Sequence, residues 1–578
     1  MHPANLDRVT LRRIFSNLTI TSENREEWRR NIMDDSPLIT VRNGSQVCSS
    51  WRKVITADPM LWGRSMDLNI LHAVTNEWRA EVERRAGQSS RLHVQVFLGQ
   101  NKNLVEFTKV FLSEYWQRVQ LLSIEYENLP YAAWMESAWE EGRIWEIFRR
   151  PSPNLMYFSV ECVNCPALEF VNNFSMFGDE APMLQYFAAT IFRIKAQATW
   201  LSRIQKLRFT SAFSASELLK ILDQMPFLEA LGIYDNDQNY YTVNSAEEDG
   251  EGGGNEEQDD EGDDEEERDD DEDNEDEDRS TDEAPSQICG EVDLPRVVLP
   301  LLSYISIDIG RLAGSFTKYL DILDHITPAS DCTLVLKGNT SVEVNLTDVN
   351  TARRVLRTYF ERFLKGQSPT SATLFIRNKA IHIDMSRPGP NFSFNFEFTT
   401  KVPQVAGFLD ALSVARAFTM VKELIFAIEP ETNILKSMNI TAAVAMFSSL
   451  DALESLRASP STLQYILSLP LKSSQAGPFP SLKNLSLIHI SKSDGLDDYI
   501  LHLFFEHMKP KFGLGVLDFC LDLLASAETL KCDLSFLERY NGMKVIWGEQ
   551  TFWARRKEQI YLCGSGNPGI LNFNSKVV

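Results

Sequence analysis

The sequence predicts an α/β fold built as an array of stacked helix-and-strand units. Three observations predict it. An amphipathic helix, a proline and a short strand of the form Leu-x-x-Leu-x-Leu recur along the chain; neighbouring recurrences such as Leu155 and Leu184 lie 29 residues apart; and one acidic run interrupts the pattern without ending it. With 578 residues, 43% of them hydrophobic, the chain has enough apolar material for a large core and sets a prior of several domains.

The unit is clearest just before the acidic run. Leu218, Ile221, Leu222 and Met225 fall on one helical face behind Ser214 and Ser216, Pro226 stops the helix, and Leu228-x-x-Leu231-x-Ile233 follows as a strand. Beyond the run the pattern returns as Phe316, Tyr319, Leu320 and Leu323, then Pro328, then Leu334 and Leu336. It recurs as Leu463, Ile466 and Leu467 before Pro470, and in the strands led by Leu155, Leu302 and Leu482, each two residues after a proline. Leu228 and Leu302 are 74 residues apart, which falls to about 30 once about 44 residues of insert are set aside, close to the period of leucine-rich repeats. No such unit buries its own apolar face, so stacking into an irregular leucine-rich-repeat-like solenoid is the expected architecture. An ordinary α/β domain of parallel strands is the alternative, because the period fails between Leu336 and Leu456, where Phe392-Ser-Phe394-Asn-Phe396-Glu-Phe398 reads as a plain alternating strand.

The acidic run carries most of the net charge. Glu247 to Asp278 holds 23 Asp or Glu against Arg268 alone, so it accounts for −22 of the formal −24 and the rest of the chain is nearly neutral. Residues 245–286 are expected to be a disordered low-complexity insert. The boundaries that follow are 1–70 for an amino-terminal module, 71–244 and 287–550 for the two parts of the repeat region, and 551–578 for a tail. A nearly neutral folded part lacks the basic surface of a general nucleic-acid binder. No apolar stretch reaches the roughly 20 residues that cross a bilayer, and eight cysteines without a secretory leader point to the cytoplasm or nucleus.

The first 70 residues carry the most specific signal. Leu11, Ile14, Phe15 and Leu18 share a helical face, Val47, Trp51 and Ile55 form a second stripe, and Pro59-Met60-Leu61-Trp62 follows. So small a module buries little surface alone, so part of its apolar face is expected to meet another surface. Leu6-Asp7-Arg8-Val9-Thr10-Leu11-Arg12-Arg13-Ile14-Phe15-Ser16-Asn17-Leu18, with Gln46-Val47-Cys48-Ser49-Ser50-Trp51-Arg52 and Pro59-x-Leu61-Trp62, resembles an F-box of the kind expanded in mushroom-forming fungi, where a divergent leucine-rich-repeat-like region follows. Leu537 to Trp547 resembles the closing segment of such proteins.

The resemblance implies a three-helix module docking on a Skp-type adaptor and, through it, on a cullin and RING ubiquitin ligase, with a target protein held on the repeats. The adaptor contacts it implies are Leu6, Leu11, Ile14, Phe15, Leu18, Val47, Cys48, Trp51, Pro59, Leu61 and Trp62. In place of the family's Leu-Pro-x-Glu this chain has Leu6-Asp7-Arg8-Val9, losing the proline that sets the opening turn and an acid of the first helical turn.

No catalytic constellation accompanies these features, so no enzyme, metal or cofactor is expected. Gly564-Ser-Gly566-Asn-Pro-Gly569 matches G-x-G-x-x-G in form, but Pro568 and the nine residues after Gly569 leave no βαβ unit to use it. Cys162-x-x-Cys165 supplies half of a zinc ligand set without a second half nearby. His325 reads as a surface residue and His489 as core. The competing functional class is a non-ligase interaction protein, an acidic chaperone whose Glu247 to Asp278 run captures basic clients. Tyr234, Asp235 and Asp308 are the candidate exposed positions on the repeat strands.

Overall fold

The computed structural model describes residues 7–18, 36–99, 101–127, 144–163, 175–189, 192, 194–210, 213–234, 294–309, 316–340, 346–366, 368–377, 380–387, 389, 391–398, 407–412, 418–428, 440–471, 479–488, 496–508, 520–523, 525, 527–548 and 558–574. Leu6, Asp235, the 245–286 insert, Cys165 and His489, together with the side chain of Cys162, lie outside the described residues.

Among the described residues the chain opens with four helices: α1 (Arg8–Leu18), α2 (Pro37–Val47), α3 (Ser49–Thr56) and α4 (Pro59–Gly63). Each start has a local cause. The Asp7 carboxylate accepts the backbone N–H groups of Val9 and Thr10 at 2.8 and 2.9 Å and the Thr10 hydroxyl at 2.6 Å, so Asp7 supplies the negative charge that the missing Glu would have placed in the first turn. Proline stands in the first turn of α2 and of α4, where no donor is needed, and Cys48 and Asp58 accept the backbone N–H groups of Trp51 and Met60 to start α3 and α4. The helices close around Leu11, Phe15, Leu38, Val41, Ile55, Leu61 and Trp62. Gly44 is bare for a reason: a Cβ there would lie 2.6 Å from the Phe15 ring.

From this module the chain enters a mixed α/β structure dominated by one large, mostly parallel sheet. β1 (Met66–Asp67), β2 (Leu92–Leu98), β3 (Val119–Glu127), β4 (Tyr157–Val163), β5 (Tyr186–Ala189), β6 (Lys206–Thr210) and β7 (Ala230–Tyr234) lie side by side in chain order, each parallel to the last. The predicted helix before β7 spans Ala215–Leu222 and begins with a capping box between Ser214 and Glu217. The next neighbour of β7 comes from beyond the acidic insert. A two-residue strand β8 (Val297–Val298) precedes β9 (Tyr304–Ile309), and β9 pairs with β7 in the register Leu231↔Ile305. β7 and β9, on either side of the acidic run in sequence, are therefore adjacent in space. β10 (Ile326–Thr327) pairs with β8 apart from the main sheet, and β11 (Thr333–Thr340) continues parallel to β9.

Between β11 and the later strands the order reverses. β12 (Ser371–Arg377), β13 (Ala380–Ser386) and β14 (Phe392–Phe398) form an antiparallel meander, with β14 against β11 and β12 against β15 (Glu423–Ile428). The alternating Phe392 to Phe398 run is thus a third strand of one enlarged connection, and the parallel ladder resumes on its far side. β16 (Ser455–Ala458), β17 (Asn484–Leu487), β18 (Cys520–Leu523) and β19 (Lys544–Trp547) follow in order, and antiparallel β20 (Gln559–Leu562) ends the sheet.

Alternation fixes which face is core. Val94, Ile124, Phe158, Phe187, Leu207, Leu231, Ile305 and Leu334 point to one side and are buried with the helices and turns of the connections. A packed aromatic cluster reinforces the early strands, including Phe158 edge-on to Phe148 at 5.2 Å and Phe187 stacked on Trp200 at 5.0 Å. The residues one position out of phase, such as Tyr157, Ser159 and Glu161, form the opposite face.

Candidate functional site

Two surfaces stand out, one on the helical module and one on the open sheet face. In the module, the family-implied contact positions separate into two sets. Leu11, Phe15, Leu61 and Trp62 are interior: Phe15 is 2% exposed and edge-on to Trp51 at 5.2 Å, while the Trp62 indole donates to the Ile55 carbonyl at 2.9 Å. Ile14, Leu18 and Val47 face outward at 38, 52 and 60% exposure; Pro59 is also exposed, and Cys48 and Trp51 are half-buried. Val9 and Met60, which sequence patterning did not single out, are also exposed. The module is held closed by Arg12, whose Nε lies 2.5 Å from Asp58, and by Arg64, which donates to Ser16 at 3.0 Å. Asp58 holds the Arg12 guanidinium above its ordinary pKa.

A buried polar joint fuses the module to the sheet. Asp67, on β1, caps the helix Leu68–Ala73 through the N–H groups of Asn69 and Ile70, and its other oxygen accepts from Ser36 at 2.8 Å and Gln95 at 3.3 Å. Burial pushes the Asp67 carboxyl above its usual range, against these hydrogen bonds. Asn69 extends the joint by exchanging two hydrogen bonds with the Phe97 backbone, at 2.7 and 2.8 Å, as a strand partner would.

The second surface is a groove of about 880 Å³ over the face of β2 to β9 opposite the core. Strand register lays its side chains in rows. One row runs His93, Leu121, Tyr157, Tyr186, Lys206, Ala230 and Tyr304; a second contains Gln95, Ser123, Ser159, Arg208, Gly232 and Ser306; the third places Glu125 beside Glu161, and Tyr234 beside Asp308. Tyr157 and Tyr186 stack at 4.0 Å with planes 6° apart. Arg208 lies 3.9 Å over the Tyr234 ring and 3.2 Å from Glu161. Gly232 makes that stack possible, since a Cβ there would approach the Tyr234 ring to 2.9 Å and the Arg208 Cγ to 3.4 Å. Burial pushes His93 down to about 4, so it lines the groove as a neutral imidazole at pH 7.

Of the exposed strand positions read from sequence, Tyr234 lines the groove and Asp308 is its register partner. The tyrosine, lysine and arginine positions on β4 to β6 were missed. Their signal is the phase opposite to the leucines, which becomes legible only with a known register.

Further along the open face, β13 carries a second polar cluster. His382 Nε2 lies 2.5 Å from Asp384 and its ring 5.7 Å from Phe375. The Asp384 hydrogen bond raises the His382 pKa; burial would raise Asp384, but hydrogen bonds from His382 and Ser393, with the charges of His382 and Lys337, bring it below its usual value. His325 is half-buried, with Nδ1 2.7 Å from the Asp321 carbonyl. Gly564 and Gly566 both take left-handed backbone in the turn after β20, and the Gly566 N–H donates to Glu538 at 2.6 Å.

Among the described residues no group of three or more His, Cys, Asp or Glu side chains is placed to hold a metal ion, and no helix is long and apolar enough to cross a membrane. In comparisons with known proteins, no family model matches the chain and no curated protein matches it.

Proposed function

We propose that the chain is a non-enzymatic substrate receptor of a Skp, cullin and F-box type ubiquitin ligase: the amino-terminal helices act as an F-box that takes the adaptor, and a leucine-rich-repeat-like array holds the target on its open face. The observation that carries this reading is that Ile14, Leu18 and Val47, and also Val9 and Met60, are apolar side chains left exposed on a module whose own core is already filled. Apolar side chains left over after the core closes are what a second polypeptide would cover. The resemblance of Ile14-Phe15-x-x-Leu18, Gln46-Val47-Cys48-x-x-Trp51-Arg52 and Pro59-x-Leu61-Trp62 to the F-box pattern gives that partner its identity.

The mechanism is proximity. The adaptor-bound module fixes the chain to the ligase, the groove fixes the client, and a client lysine meets the charged conjugating enzyme at high effective concentration, with no catalytic side chain from this protein. The test is co-expression with a Skp-type adaptor, comparing the native chain with the double variant Ile14→Asp and Leu18→Asp. Both residues are outward, so folding should persist and co-purification should be lost. Undiminished co-purification of the double variant overturns the reading.

A further inference from the structure

We propose that the amino-terminal helices dock on a polypeptide surface that is acidic as well as apolar, an inference that rests on the substrate-receptor reading above and gives the adaptor's docking face its charge. The module differs in sign from the rest of the chain. Its described residues, 7–18 and 36–64, hold seven basic side chains and two acidic ones, and residues 1–64 in all hold ten basic to seven acidic, in a chain whose formal charge is −24. Both described acids are already used: Asp7 caps α1, and Asp58 caps α4 and holds Arg12. That leaves Arg8, Arg13, Arg42, Arg52, Lys53 and Arg64, none of which meets a carboxylate among the described residues. Arg42 lies over the Trp78 ring at 5.3 Å, and Arg52 and Arg64 donate to the Ser45 carbonyl and the Ser16 hydroxyl at 3.1 and 3.0 Å, whereas Arg8, Arg13 and Lys53 stand exposed.

These cations and the uncovered apolar side chains share a helix. α1 carries Val9, Ile14 and Leu18 exposed on the same eleven residues as Arg8 and Arg13. Val9 and Arg13, four residues apart, lie on one face, and Ile14 is the next residue along. A chain that covers the apolar set therefore comes within about a Debye length, roughly 8 Å at physiological salt, of a guanidinium group. A neutral or basic partner would strip water from that group and return no countercharge, whereas an acidic one answers it.

Two other anionic occupants fit less well. Glu247 to Asp278 contains no aliphatic or aromatic side chain, so the chain's own acidic run could meet the arginines but could not cover Ile14, Leu18 or Val47. An anionic bilayer would have to take Arg13 toward the hydrocarbon along with Val9, because the two share a face. An amphipathic acidic polypeptide satisfies both halves of the surface.

The test uses the full-length chain and a variant lacking residues 245–286, at about 0.15 M salt. Fluorescence anisotropy compares three labelled amphipathic peptides of about five helical turns: leucine with glutamate, leucine with lysine, and serine with glutamate. On both proteins the leucine–glutamate peptide should bind about tenfold or more tightly than either of the others. The triple variant Arg8→Glu, Arg13→Glu and Lys53→Glu changes only exposed side chains, so its far-UV circular dichroism should stay native while its preference passes to the leucine–lysine peptide. Equal affinity for the two leucine peptides, or a preference that the triple variant leaves unchanged, overturns the proposal. An unlabelled peptide of residues 247–278 should not displace the leucine–glutamate probe; displacement would make the acidic run the occupant and overturn it too. Sedimentation with phosphatidylserine vesicles that the triple variant abolishes would assign the surface to a membrane instead, with the same result. Adaptor co-purification on the same preparations separates the two claims. Undiminished capture of adaptor by the triple variant refutes the charge assignment alone, and a chain that selects the leucine–glutamate peptide but captures no adaptor refutes the receptor reading alone.

Discussion

Gly63 packs tightly against the backbone that leads into the first long strand, and Gly63→Ala tests that contact. A Cβ there would stand 2.6 Å from the Ser90 hydroxyl oxygen and 2.8 Å from the Arg91 carbonyl, where ordinary contact begins at 3.4 Å. Neither neighbour is free to retreat. The Ser90 hydroxyl donates to the Ala86 carbonyl at 2.5 Å and accepts from Arg118 at 3.3 Å, and the Arg91 carbonyl belongs to the backbone that leads directly into β2. Relief must come from α4 moving away from that backbone by more than half an ångström, a strain of about 1–3 kcal/mol. Alanine returns at most about 1 kcal/mol of helix propensity, less at a helix end. The net expectation is a loss of about 1–2 kcal/mol. Gly99→Ala is the control: a Cβ there has nothing within 4 Å, and replacing that glycine should be neutral or stabilise by about 0.4–1 kcal/mol. Urea unfolding by far-UV circular dichroism gives the stability difference, and amide exchange in 59–63 and 92–98 locates it. Undiminished stability and protection in Gly63→Ala would refute the packing argument.

Four further outcomes follow from the packing and charge of the chain. Phe15→Ala removes a ring enclosed by Trp51 and Gly44 and should cost about 3–5 kcal/mol, whereas Ile14→Ala, one position earlier, should cost under about 1 kcal/mol; equal urea midpoints would mean that the inward and outward sets are misplaced. His93 is held down to about 4 by burial, so the unfolded chain binds the extra proton first as pH falls; stability should decline between about pH 6.5 and 4 by up to about 3 kcal/mol, and His93→Gln should flatten that limb in pH-dependent urea titrations. His382 has the opposite sign: Asp384 raises its pKa, so its contribution is full below about pH 6.5 and disappears as pH rises through the raised folded value, and Asp384→Asn should bring the imidazole NMR titration back toward the ordinary midpoint. Burial pushes the Cys332, Cys532 and Cys563 thiols up to about 12, so at pH 8 all three should resist a thiol reagent in the native chain and label only on urea unfolding, as mass mapping would report.

The helix before β7 and the strands on either side of the acidic run were legible because period and punctuation agree. Leu218, Ile221 and Leu222 state a helix, Ser214 caps it, and Leu231 and Ile233 state a strand whose neighbour, Ile305, is recognisable once the charge run between them is discounted. The meander was half legible: alternation in Phe392 to Phe398 announces a strand, but nothing local says that β14 rather than β12 lies against β11. The module's two sets were not separable, because a helical stripe names a face without naming what covers it. Ile14 and Phe15 are adjacent in sequence and end on opposite sides of the boundary. The Asp7 substitution reads as a loss in a motif comparison and as a cap in space, since its carboxylate reaches the N–H groups of Val9 and Thr10. The groove was the least visible element. Its tyrosines lie at positions that the leucine pattern treats as filler.

The hydrogen-bonded ladder that runs from Asp67 into β2 turns the sheet into a yardstick. With Met66↔Val94 and Asp67↔Gln95 paired and Ser36, Asp67 and Gln95 tied in one buried knot, the opening helices and the groove are joined through one backbone lattice. In a receptor of the proposed kind, the separation between dock and cargo would be graduated in rungs of about 4.8 Å, and losing or duplicating one rung would move the cargo by that step. Reach would then be an inherited length of the scaffold, adjustable by the number of strands and insensitive to substitutions on their surface.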